Sequence, residues 1–432
     1  MNQENLIQFL SSSPTAWHAV ESVRKTLLAQ GFKELKESQK WQIEPSGKYF
    51  VKRNDSSLIA FEIPAKGFAP FMTAAAHTDS PAFRIKPHPE MKGSGCVRIN
   101  TEGYGGMLCA PWFDRPLSCA GRIMVKTAEG FESRLFKSEQ DLFIIPSLAI
   151  HMNRSANENA TYNKQKDLMP LFAMESKEGI SLKDVIAKEA GVESDDILDS
   201  DLLLYVREEP RVWGVNKEFI SGGHLDDLYC AWGLMNGFLA SKPSGAIKVL
   251  ALFDNEEVGS LTKQGAYSTF FHDTLKRISL SFGKDEEDFL MALAESFLVS
   301  ADNAHAIHPN YPEKADPSNQ PKMNGGIVIK YNGNQKYTSD AFSASLMRRI
   351  CEKAEVPVQE FVNRADMVGG STLGNLSNVQ VSLNAVDIGL AQLAMHSCYE
   401  TAGLKDGEYL VKAMKCYYES AIRRNDDRCE LI

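Results

Sequence analysis

The run Ala246-Ile247-Lys248-Val249-Leu250-Ala251-Leu252-Phe253 stops abruptly at Asp254-Asn255-Glu256-Glu257. An almost unbroken apolar run of this length, without alternation, fits a strand buried on both faces. Such strands belong to sheets covered by helices. The polar residues at its mouth then fall at the carboxyl end of the sheet, where open α/β folds collect their functional groups. Two adjacent carboxylates usually make a solvated face. Set between a buried strand and Val258-Gly259-Ser260, they are poorly explained by solvation.

The same pattern recurs along the chain. Phe71–Ala76 runs into His77-Thr78-Asp79-Ser80-Pro81, and Leu298-Val299-Ser300-Ala301 ends at Asp302, with His305 and His308 close behind. Asp226-Asp227 opens the helix-like stretch Leu225–Leu239, where an acid also suits a helix N-terminus. His396 lies in the stretch Gly389–Thr401, whose pattern reads as helical. Each of these residues is a weak signal by itself. Only folding would bring His77, Asp226, Glu257, Asp302 and His396 together, and placement at strand ends is what would do it. Imidazole and carboxylate ligands suit Zn²⁺, Mn²⁺ or Co²⁺, and no cysteine is required.

Residues 3–29 read as helix broken at Ser11-Ser12-Ser13-Pro14, and Tyr49–Lys52 with Leu58–Ile63 as a hairpin. From about Pro87 glycines cluster (Gly93, Gly95, Gly103, Gly105, Gly106). Short β-like runs follow at Gly121–Thr127, Leu142–Pro146 and Leu202–Val206, with a helix at Ser181–Ala190. Strand–helix alternation then resumes, with helices expected at Asp285–Phe297 and Glu408–Arg423. The expected fold is α/β, a mostly parallel helix-covered sheet. Residues 1–88 and 218–432 would form one discontinuous domain, interrupted by a β-rich domain over 89–217.

Composition narrows the function classes. The 432 residues carry 47 Lys and Arg against 56 Asp and Glu, a net charge of −9, with no basic stripe. That disfavours nucleic acid and anionic membranes as partners. Eight scattered cysteines without a CxxC pair read as free thiols in a reducing compartment. The start Met-Asn-Gln-Glu-Asn-Leu-Ile has no basic region before an apolar run, and no stretch is long and apolar enough to span a membrane. A cytoplasmic protein is the expectation. A serine hydrolase is disfavoured by the lack of GxSxG.

Seven segments taken together resemble a known family. They are His77-Thr78-Asp79-Ser80-Pro81, Tyr104-Gly105-Gly106, Trp112–Leu117, Leu225-Asp226-Asp227-Leu228, Asn255–Ser260, Ala304–Tyr311 and Gln392–Ser397. In this order, from Ser13-Pro14-Thr15 to beyond His396, the chain resembles the M18 metalloaminopeptidases, the aspartyl aminopeptidases. The resemblance implies a zinc-exopeptidase-like fold with an inserted dimerisation domain, and removal of N-terminal residues, acidic ones in particular, from peptides. It implies two zinc ions per subunit, one on His77 and Asp302, the other on Glu257 and His396, with Asp226 bridging. Glu256 would be the general base and Asp79 would orient His77. His151, in Leu148–Arg154, matches a histidine that reaches a neighbouring subunit's active site within a dimer-based homo-oligomer, a dodecamer. Lys330, in Gly326–Lys330, matches the residue that meets an acidic substrate side chain. Two departures bear on substrate preference: His224, where some relatives carry arginine, and Asp366–Thr372, which lacks the Pro-Cys of some members. The same metal core would also serve a deacylase or carboxypeptidase. A non-catalytic oligomeric scaffold is a further alternative, against which Glu256 and all five ligand candidates are present.

Overall fold

The computed structural model describes residues 3–176, 179–425 and 428–432. The chain divides into two compact units. One comprises Met1–Asp79, Arg211–Met395 and Glu400–Ile432; the other comprises Ser80–Pro210 and His396–Tyr399. These boundaries differ from those expected at 88/89 and 217/218. The strand Ala82–Gly93 starts directly after Pro81 and already belongs to the second unit's sheet, so the first glycines of the cluster, Gly93 and Gly95, mark its far end. Arg211–Trp213 pairs with Phe219–Gly222 in the first unit.

The first unit is built on a nine-stranded sheet. In space its strands run Lys33–Leu35, Lys48–Arg53, Ser57–Glu62, Ile247–Phe253, Phe71–His77, Phe297–Ala301, Asn384–Gly389, Ile327–Tyr331 and Val358–Val362. The four strands from Ile247–Phe253 to Asn384–Gly389 are mutually parallel. Antiparallel pairings lie to either side of them, including the expected hairpin of Lys48–Arg53 with Ser57–Glu62. The central strands are buried throughout because both faces are covered. In Phe71–His77, Met72, Ala74 and Ala76 pack into one apolar core while Phe71 and Ala75 pack into another.

The helix Leu225–Ala240 packs against Leu404–Tyr418, and two glycines allow the approach. A Cβ on Gly233 would meet Leu410 Cδ2 at 2.5 Å, and one on Gly237 would meet Met414 Cβ at 2.5 Å. The expected helix over Asp285–Phe297 is Glu286–Ala294, opened by a reciprocal capping box between Asp285 and Asp288. It stops early because Phe297 already belongs to the next strand. The expected helix over Gly389–Thr401 does not form. Ala391–Leu393 and Glu400–Gly403 are antiparallel strands of a separate five-stranded sheet. Ala394 and His396 have φ of 56° and 66°, which no right-handed helix accommodates.

The second unit is a six-stranded antiparallel sheet in the order Gly130–Lys137, Leu117–Thr127, Ile197–Val206, Ala82–Gly93, Cys96–Tyr104, Leu171–Met174. Its own core includes Phe83, Ile99, Trp112, Leu117, Ile123 and Leu202. The helix Leu182–Ala190 is capped by Ser181, whose hydroxyl accepts from Asp184 N, and ends on Gly191 at φ 66°. Leu142–Pro146 forms isolated bridges, through Phe143, Ile144 and Ile145, instead of a strand. None of the described helices is long and apolar enough to cross a membrane.

Candidate metal centre

Three neighbouring parallel strands of the first unit end side by side. Phe71–His77 ends in His77, Ile247–Phe253 leads into Glu256 and Glu257, and Phe297–Ala301 is followed by Asp302. In register, His77 lies opposite Phe253. Asp226 comes from the start of the helix Leu225–Ala240, where it departs from helical geometry at φ −84° and ψ 108°. Among the described residues, two triads bring one donor atom from each member to within 4.8 Å of the others. They are His77–Asp226–Glu257 and His77–Glu256–Asp302.

Glu256 and Glu257 do not lie on the strand itself. They form a single 3₁₀ turn, Glu256–Val258, between Asn255 at φ 63° and Gly259 at φ 95°. Asp79 fixes this turn: its Oδ1 accepts from Glu256 N at 3.1 Å and its Oδ2 from Glu257 N at 3.2 Å. The expected link to His77 runs mainly through the backbone, with His77 Nδ1 3.0 Å from Asp79 O and 3.4 Å from Asp79 Oδ1. With the proton on Nδ1, the lone pair is on Nε2. That nitrogen lies 3.6 Å from Asp226 Oδ1. Two ligands on one tetrahedral zinc, with bonds of about 2.0 Å, stand roughly 3.3 Å apart. Asp227, buried beside Asp226, accepts from His77 N at 3.1 Å through Oδ2.

The electrostatics favour a cation. Burial, with mutual repulsion added, raises the pKa of Asp227 and Glu257 well above the carboxylate range and pushes Glu256 up to about 8. Burial raises Asp302 as well, against the pull of Lys330. Burial lowers the pKa of His77, yet Asp226 and Asp79 hold it well above its ordinary value. Buried carboxylates that oppose each other's ionisation, gathered around one imidazole, are a donor set that a divalent cation would stabilise. The residues present therefore fit zinc.

The other predicted residues fall elsewhere. His396 is half-buried in the second unit, and its Nδ1 lies 2.7 Å from Gly106 O, which again leaves the lone pair on Nε2. His151 is exposed in a turn of the second unit. Lys330 is 3 % exposed, with Nζ 3.2 Å from Asp302 Oδ1 and 5.5 Å from the centre of the Tyr337 ring. Burial lowers its pKa, but Asp302 and Tyr337 more than offset this and it stays raised. His305 and His308 line a cavity of about 320 Å³ with Tyr311, Lys314, Arg364 and Gln392. Sequence reasoning gave no role to Asn303, Gln392 or Glu400, all buried beside the candidate ligand positions. Asn303 carried a signal in its place after Asp302, and Gln392 in opening the segment Gln392–Ser397; Glu400 carried none.

A family model described as Aminopeptidase I zinc metalloprotease (M18) matches residues 9–418. A Clostridium acetobutylicum protein described as "Probable M18 family aminopeptidase 2" is 46% identical over 425 residues, covering 96% of this chain and 98% of its own length. A chain in the cryo-EM structure of the Ape4 and Nbr1 complex superposes with a TM-score of 0.94 at 36% identity, over 96% of this chain and 85% of that one. The S. cerevisiae mApe1 dodecamer gives a TM-score of 0.85 at 27% identity, over 96% of each chain. With a family model and a relative that both match nearly its whole length, the chain belongs to the M18 family of zinc metalloaminopeptidases.

Proposed function

We propose that this aminopeptidase binds two zinc ions per subunit, with Mn²⁺ or Co²⁺ as possible substitutes, and removes acidic N-terminal residues from peptides. The observation that carries the metal reading is the convergence of buried His77, Asp226 and Asp302 with half-buried Glu256 and Glu257 in one acidic cluster. His77 and Asp302 are proposed for one ion, Glu257 and His396 for the other, with Asp226 between them. When bound, zinc would supply Lewis-acid activation of water and of the scissile carbonyl. Glu256 takes the proton from the attacking water and hands it to the leaving amine. Asp79 holds the turn that carries Glu256 and Glu257. The preference for acidic residues is proposed to come from Lys330, through the N–H groups not directed at Asp302.

The solved mApe1 relative is a dodecamer. We extend homo-oligomerisation to this chain, with the second unit as its dimerisation element. His151 of one subunit then donates a hydrogen bond to the oxyanion formed in its neighbour, a contact whose loss would cost about 10²–10³ in kcat. Mixing His151→Ala with Glu256→Gln subunits tests this. Partial recovery of activity is expected, and verified subunit exchange without recovery would exclude action in trans. The metal reading is tested by elemental analysis of Asp226→Ala and by an aminoacyl substrate panel on metal-stripped and zinc-, manganese- or cobalt-reloaded protein. Full metal content in Asp226→Ala would overturn it. Hydrolysis of N-acetylated substrates as fast as of free amines would favour the deacylase alternative.

A further inference from the structure

The peptide group between Leu225 and Asp226 is held at both polar ends by side chains from distant segments. Leu225 O accepts from Asn303 Nδ2 at 2.8 Å, and Asp226 N donates to Glu400 Oε2 at 3.0 Å. Gln392 closes the circuit. Its Oε1 accepts from Asn303 Nδ2 at 2.9 Å, and its Nε2 donates to Glu400 Oε1 at 3.4 Å. Asn303 Oδ1 is in turn engaged by Cys230 Sγ at 3.1 Å. Asn303, Gln392 and Glu400 are each no more than 2% exposed. In so dry a setting each bond is strong, and each bond left unmade is costly.

The local backbone depends on such a clamp. Asp226 and Asp227 both leave helical geometry inside the helix Leu225–Ala240. Near a helix start, backbone N–H groups lack intrahelical acceptors and must find other partners. Glu400 supplies one for Asp226. Asn303 follows Asp302 directly, so the circuit ties the peptide of Asp226 to the strand end that delivers Asp302.

We propose that Asn303, Gln392 and Glu400 are positioning residues that set Asp226 relative to Asp302, and with it the spacing of the two zinc positions. This rests on the metal reading above. The carboxylate at 400 is needed in particular, because both of its oxygens accept. A glutamine there would turn a donor toward either Asp226 N or Gln392 Nε2. Flipping Gln392 in response would set its own Nε2 against Asn303 Nδ2. Glu400→Gln therefore breaks a link while keeping the side chain's volume.

The test uses the full-length protein. Zinc affinity is measured by competition with a chromophoric chelator, ligand geometry by the absorption spectrum of the cobalt-loaded form, and folding by circular dichroism of the metal-free form. Glu400→Gln is expected to fold, to bind zinc about 10–100-fold more weakly, and to show an altered cobalt spectrum. Its kcat should fall with little change in KM. Gln392→Leu, which leaves the Asp226–Glu400 bond in place, should show a smaller loss of the same kind, and it carries the test if Glu400→Gln does not fold. A folded variant with wild-type zinc affinity and cobalt spectrum would overturn the positioning role alone. A wild-type protein that takes up no zinc would overturn the metal reading and this inference with it.

Discussion

Lys330 Nζ lies 3.2 Å from Asp302 Oδ1, and both side chains are nearly closed to solvent. The ammonium thus serves a proposed ligand before it can serve any substrate. Removing it would leave the buried Asp302 carboxylate without its nearest counter-charge.

Two contributions of Lys330 should therefore separate by substrate. Lys330→Ala is expected to lower kcat/KM on every aminoacyl substrate through Asp302. On Asp and Glu substrates the loss should be larger by roughly 10–150-fold, the worth of a charge-assisted hydrogen bond. Equal losses on Asp, Glu, Ala and Leu substrates would leave Lys330 only its hold on Asp302.

Asp79 uses both carboxylate oxygens to hold the turn of Glu256 and Glu257. Asparagine at that position would present one acceptor and one donor to two N–H groups. Asp79→Asn should weaken zinc binding or activity by about 10–100-fold, measured as zinc affinity beside kcat/KM. Wild-type values in both would show that the turn holds itself.

Glu256 and Glu257 fall in different donor triads although they are adjacent. Glu256→Gln should keep its zinc and lose about 10²–10⁴-fold in kcat. Glu257→Gln should lose zinc. Elemental analysis of the two variants decides the matter, and loss of zinc from Glu256→Gln would exchange the roles.

Gly237→Ala should reverse the usual sign of its class. In an exposed helix, alanine is favoured over glycine by about 1 kcal/mol. At this site the new Cβ would meet Met414 Cβ at 2.5 Å and Lys415 N at 3.1 Å, atoms that cannot swing aside. The expected result is destabilisation by about 1–3 kcal/mol, read from chemical denaturation. A gain in stability would mean that the helices Leu225–Ala240 and Leu404–Tyr418 part without cost.

The sequence alone determined the strands and what stands at their ends. Runs such as Phe71–Ala76 and Ala246–Phe253 are buried on both faces, and burial leaves a local imprint in unbroken apolar character. His77, Glu257 and Asp302 were legible as candidates because each follows such a run. His396 follows no such run and was legible only through its residue type and the resemblance of the segment Gln392–Ser397. Its stretch suggested a helix, whereas pairing of Ala391–Leu393 with Ala304–His305 and Glu400–Gly403 draws it into a sheet. Tertiary structure also decided that Lys330 faces Asp302, and that Asn303, Gln392 and Glu400 enclose one peptide group. These relations join residues up to 174 positions apart. A buried polar side chain looks in sequence like an exposed one, and its partner is set by which strands become neighbours.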